Sequence, residues 1–140
     1  MRLFKWSKLH ATYLSEIDAE HRTMFRLGDE FNEAVEAGVG AEHLLSMLQA
    51  LTACAEDHFS HEERLMRAAH YDAYAWHKQQ HDGVRRRLRQ FAQGIEGGDT
   101  EAPLLVVEYL SDWIKGHTGL SDRMMAASLR NHDRLQALAS

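Results

Sequence analysis

The stretch His58–His81, HFSHEERLMRAAHYDAYAWHKQQH, sets His58 and Glu62 four residues apart, then His77 and His81 four apart, with a short break between. Residues four apart on a helix lie one above the other on the same face, so each pair can aim two ligand atoms at one point. The flanking apolar pattern says which way that face looks. Steps of three and four through the first pair give Leu44, Leu48, Leu51, Ala55, His58, Glu62 and Leu65. The second pair gives Tyr74, His77, His81, Val84, Leu88, Phe91 and Ile95 by the same stepping. Both series are seams of buried helix faces. Ligand-type side chains therefore hold core positions on two consecutive helices. A buried carboxylate without a partner costs several kcal/mol or surrenders its charge. Three imidazoles and a carboxylate turned inward ask for a shared partner, and a metal ion is the simplest.

The same pattern extends outward in both directions. Asp18 reads as the N-cap of a first helix that runs to about Ala37, with His21, Met24, Leu27 or Gly28, Phe31 and Val35 inward. Gly38 and Gly40 end it. The second helix spans about Ala41 to Ala69, and the third about Ala73 to Glu96. Gly97-Gly98-Asp99-Thr100 is a turn, and Pro103 falls in the first turn of a fourth helix, where its missing N–H costs little. Val106, Leu110, Trp113 or Ile114, and His117 face inward from that helix. Short connections between long helices predict an all-α, antiparallel up-down-up-down four-helix bundle over residues 18–119. An N-terminal arm (1–17) anchored by Phe4, Trp6 and Tyr13 precedes it, and a short helical C-terminal segment (120–140) follows, the whole forming one domain, 1–140.

Bulk properties exclude several classes. A net charge of −5 over 140 residues, with no basic run beyond Arg85–Arg87, gives no reason to expect nucleic acid; those arginines read as solvated. The single Cys54 rules out an internal disulfide and fits a reducing compartment, with the thiol acting as a small apolar side chain. Neither a signal-peptide pattern nor an apolar run of membrane-spanning length is present. The expectation is a soluble cytoplasmic protein that contacts no membrane. Ten histidines are the compositional oddity.

Two further histidines, His21 and His117, sit on the inward stripes of the first and fourth helices. Asp122 follows His117 by five, a step that rotates about 140° on an undistorted helix. It joins the others only if the backbone widens or breaks, and Gly119 offers that freedom. The candidate metal ligands are then His21, His58, Glu62, His77, His81, His117 and Asp122. One ion cannot use seven such ligands, whereas two can, with both carboxylates bridging. Mixed nitrogen and oxygen ligation without thiolate points to iron, manganese or zinc. Five imidazoles divide unequally between two octahedral ions, so one ion keeps an open position. Helical spacing sets an apolar pocket beside the site from Met24, Phe59, Trp113 and Ile114, which would exclude water.

The chain resembles the hemerythrins, specifically the bacterial hemerythrin-like proteins, from Trp6 to about Met125. The resemblance rests on IDAEH around His21, HFSHEERLM, HKQQH, and HTGLSD from His117 to Asp122. It implies two non-haem iron ions with an oxo or hydroxo bridge, and O2 as the reversibly bound ligand. His77, His81 and His117 would hold one iron and His21 and His58 the other, with Glu62 and Asp122 bridging and O2 at the two-histidine iron. Glu20 and Thr118 depart from the family, which commonly has Gln and an apolar residue there; either makes the site more polar and speeds loss of the oxygenated form.

Binding of O2 for storage, delivery or sensing is thus the leading expectation, and the protein reads as a binder rather than an enzyme. The alternatives are a di-iron redox enzyme acting on peroxide, nitric oxide or O2, and an iron-storage or structural metal bundle. An O2-consuming partner enzyme is a conceivable recipient. His10, His43, His70 and His132 read as solvated, His61 as lying at the surface or just outside the ligands, and Glu63 as outside the site.

Overall fold

The computed structural model describes residue 4 and residues 6–139, the side chain of Lys115 excepted. The expected arm and C-terminal segment extend over residues 1–3, 5 and 140, which lie outside the described residues. The helices are α1 (Ser15–Glu36), α2 (Ala41–Ala68), α3 (Tyr74–Glu96), α4 (Ala102–Trp113) and α5 (Asp122–Ala139), with a π-helical segment (Ile114–Ser121) joining the last two. Each of α1 to α4 packs on its sequence neighbour, and α4 closes the ring against α1. The fold is the four-helix bundle that the apolar stripes predict. Among the described residues no helix is long and apolar enough to cross a membrane.

The turns follow their local chemistry. Gly38 (φ 73°) and Gly98 (φ 87°) take the left-handed conformation that ends α1 and α3, where a side chain would be strained. Pro103 lies in the first turn of α4, as its fixed φ favours. The link from α2 to α3 instead places the non-glycine His70 at φ 53°.

The start of α1 differs from expectation. The helix begins at Ser15, so Asp18 lies inside its first turn rather than capping it. Its carboxylate Oδ1 accepts from the Thr12 backbone N–H at 2.9 Å and from Thr12 Oγ1 at 2.7 Å, pinning the arm to the bundle. Phe4 packs so closely on α1 that a Cβ at Gly28 would sit 2.9 Å from its ring. His10 is half-buried between Trp6 and Phe25 rather than solvated, and burial lowers its pKa. On α2, Met66 is fully buried while Leu65 is only half so, a shift of one position from the predicted stripe.

The main core lies toward one end of the bundle. Phe31, Leu44, Leu48, Phe91, Ile95 and Val106 are buried together there. A smaller cluster of Met66, Met125 and Leu129 closes the other end. Between the two the helices turn polar groups inward.

Candidate metal centre

The seven inward ligand-type residues meet in that middle layer. His21, His58, Glu62, His77, His81, His117 and Asp122 are at most 2 % exposed, and they form two overlapping clusters sharing Glu62 and Asp122. α1 supplies His21, α2 supplies His58 and Glu62, α3 supplies His77 and His81, and the π-helical segment delivers His117 with Asp122 immediately after it. The wider π turn absorbs the five-residue step, so His117 and Asp122 reach one point without a chain break.

The carboxylates divide their oxygens between two groups of imidazoles. Asp122 Oδ1 lies 2.8 Å from His117 Nε2 and 3.0 Å from His77 Nε2, while Oδ2 lies 2.9 Å from His21 Nε2. Glu62 Oε1 lies 3.0 Å from His81 Nε2, and Oε2 lies 3.4 Å from His58 Nε2. His21 and His58 face each other through their Nε2 atoms at 3.0 Å, a contact to which only one can bring a proton. Three imidazoles thus gather on one side of the carboxylate pair and two on the other.

Protons alone serve this arrangement poorly. Both oxygens of Glu62 and of Asp122, and Nε2 of His77, His81 and His117, are buried without a hydrogen-bond partner of acceptable geometry. Buried polar atoms so placed are costly unless something satisfies them. A cation at each of the two foci would meet all of them at once, and the histidine–carboxylate donor set suits a first-row metal. The residues fit a dinuclear metal site.

Electrostatics inside the cluster run the same way. Burial would raise the Glu62 and Asp122 carboxyls, and Asp122 raises Glu62 further. The surrounding imidazoles, His58 beside Glu62 and His117 beside Asp122, nevertheless hold both well below the usual carboxylate range. Burial presses His58 down, but the Glu62 charge and the hydrogen bond to Glu20 lift its pKa to about 10. His77 rises to about 9 against its own burial, because the Asp122 and Glu62 carboxylates lie 3.0 and 3.5 Å from its Nε2. At His117 burial prevails and the pKa falls. The carboxylates stay ionised and attract positive charge, whether protons or metal.

Several neighbours orient the imidazoles from behind, and most lie outside the residues that helical spacing selects. His58 Nδ1 donates to Glu20 Oε1 at 2.6 Å, His81 Nδ1 to Glu63 Oε2 at 2.8 Å, and His117 Nδ1 to Gln80 Oε1 at 2.6 Å. Glu63 is buried against His81 and belongs to the site, contrary to the reading of its place beside Glu62. Arg85 is not solvated: its guanidinium spans Glu56, Glu63 and Asp82 and lies 5.4 Å from the centroid of the Phe59 ring. The sequence carried no period for Gln80 or Arg85, because each serves a residue on another helix. His61 contacts Glu20 with Nδ1 at 2.7 Å, just outside the ligands as expected.

Met24, Phe59, Trp113 and Ile114 line one apolar cavity of about 20 Å³ with Leu51, Val84 and their neighbours. That is room for about one water-sized molecule. Phe59 stacks on His81 with centroids 4.2 Å apart, and Trp113 stacks on His117 at 4.4 Å, so two cavity walls are also the flanks of the cluster.

Comparison with known proteins agrees with this geometry. The family described as the hemerythrin HHE cation binding domain matches residues 12–129. A bacteriohemerythrin from Ralstonia nicotianae is 29% identical over 129 residues, covering 92% of this chain and 90% of its own. A bacteriohemerythrin from Methylococcus capsulatus is 24% identical over 130 residues, covering 92% and 98%. A hemerythrin from Themiste dyscrita is 30% identical over 112 residues, covering 80% and 81%.

Proposed function

This chain belongs to the hemerythrin family, and from that premise we propose that it binds O2 reversibly at two non-haem iron ions. The observation that carries the reading is the three-and-two division of imidazoles about Glu62 and Asp122, each carboxylate with one oxygen toward each group. His77, His81 and His117 would hold one ion, His21 and His58 the other, and the two carboxylates would bridge. A ferrous pair held there would supply the electrons with which O2 is bound, and the side with two imidazoles would be the one with room for it.

The residues around the two ions do three things. Glu62 and Asp122, ionised in the buried layer, compensate the charge of two cations that would otherwise be expelled from an apolar interior. Glu20, Glu63 and Gln80 accept the Nδ1 protons of His58, His81 and His117, fixing the tautomer that frees each Nε2 for a metal. Met24, Phe59, Trp113 and Ile114 give a small ligand an apolar space and deny it to bulk water. A single water-sized volume suits a diatomic gas and excludes larger organic substrates.

Iron content and anaerobic optical spectroscopy test the proposal together. Two irons per chain, with a visible band that appears on adding O2 to the reduced protein and vanishes on removing it, are expected. Two irons with immediate one-way conversion to the diferric form would refute reversible binding, and absence of iron would refute the assignment of the centre.

A further inference from the structure

We propose that Glu20 is a positioning residue whose charge, met by no arginine or lysine among the described residues and passed through His58, lowers the reduction potential of the two-histidine half of the centre. The inference rests on the di-iron reading above. It comes from comparing what stands behind the three imidazoles whose Nδ1 donates to a side chain. His117 donates its Nδ1 proton to the neutral amide oxygen of Gln80, which also accepts from Ser121 Oγ at 2.9 Å. His81 donates to Glu63, but the oxygen it uses accepts from Arg85 Nη1 at 2.8 Å as well, and the other faces Arg85 Nη2 at 3.3 Å. The negative charge of Glu63 is therefore matched by a fixed guanidinium.

His58 donates to a different kind of partner. Glu20 Oε1 lies 2.6 Å from His58 Nδ1, and Oε2 lies 2.7 Å from His61 Nδ1. Among the described residues the hydrogen bonds of Glu20 are to these two imidazoles, not to an arginine or lysine. A ring that donates to an anionic carboxylate gains imidazolate character and becomes a stronger electron donor through Nε2. Electron donation stabilises the ferric over the ferrous ion. Glu20 is 32% exposed, so water screens part of its charge and the effect is smaller than for a buried pair. The half that receives this push is the one with fewer imidazoles, where O2 would bind. Such a centre is biased toward its oxidised state and a short-lived oxygenated form, which suits response to O2 better than long storage.

The test compares iron-loaded full-length protein with Glu20→Gln, which keeps the acceptor oxygen and deletes the charge. The midpoint potential of the iron centre, followed by spectroelectrochemistry, is expected to rise by about 59 mV, equivalent to a tenfold change in a one-electron equilibrium. The reversible optical band should persist about tenfold longer in air, in step with that shift in equilibrium. His61→Ala, which frees the whole Glu20 charge for His58, should move the midpoint the opposite way. Iron content should stay at the wild-type value in both. An unchanged or lowered midpoint in Glu20→Gln overturns the proposal, and so does loss of iron from that variant, since Glu20 would then be a mount rather than a tuner. Wild-type protein with two irons but no reversible band would defeat the oxygen-binding reading instead, and the midpoint comparison would still decide the role of Glu20.

Discussion

The apolar end of the bundle and its ligand layer are stacked along one bundle yet solve opposite problems. At the apolar end Leu48, Phe91, Ile95 and Val106 are buried against one another and need nothing further. In the ligand layer, burial is as complete, but the buried atoms are imidazole nitrogens and carboxylate oxygens without adequate partners. The first region gains free energy from leaving water. The second loses it until a cation arrives. A bundle of this kind can carry a costly polar layer only because the apolar layers hold the helices in register. The difference separates what folds the chain from what the fold is for.

Experiments can separate the two regions. The largest effect is expected from Glu62→Ala, which removes a carboxylate shared by both clusters: iron should fall from two per chain to nearly none while the helical circular dichroism persists. Retention of one tightly held iron would mean that the two halves do not share Glu62. Leu48→Ala should do the reverse, costing about 2–5 kcal/mol of unfolding free energy with iron stoichiometry intact. Equal damage to iron content there would show that the apolar end is not independent of the site.

The pH dependence of chelator-stripped protein sharpens the contrast. His58 and His77 have folded pKa values of about 10 and 9, above the ordinary 6.5. The stability they contribute is complete below about pH 6.5 and is lost as pH rises through 9 to 10. Glu62 and Asp122, depressed in the fold, contribute above their ordinary 4.5 and 3.8 and lose that contribution on acidification. The melting temperature of stripped protein should therefore peak near pH 5 to 6.5 and fall on the alkaline side. A flat alkaline limb would mean that the cluster holds no such protons.

The smallest expected effect lies where the regions meet. Ile114 is buried with the main core and also walls the cavity beside Phe59 and Trp113. Ile114→Ala should keep both irons and a folded bundle but shorten the life of the oxygenated form severalfold by admitting water. An unaltered decay rate would move the gas pocket elsewhere.

Much of this was legible along the chain. Residues three and four apart share a helix face whatever else the protein does, so the stripes through Leu44–Leu65 and Tyr74–Ile95 marked the buried sides, and ligand-type residues on those stripes could only meet inside the bundle. The step from His117 to Asp122 even announced a distortion, which the π turn supplies. The resemblance to the hemerythrins added the division of the ligands between two irons, which spacing alone left open.

Tertiary structure alone decided the rest. Asp18 looked like a cap until the arm folded back and offered Thr12 to it. Glu63, Gln80 and Arg85 lie off the seams of their own helices, and Arg85 stands in a run of three arginines that by sequence reads as solvated. Their importance arises across a helix–helix gap, where His81 or His117 of one helix finds an acceptor on another and an arginine settles whose charge is neutralised. Periodicity reports which face of a helix is buried. It is silent on what each buried atom meets, because that depends on how neighbouring helices are rotated and offset, and these are set by the packing of the whole bundle.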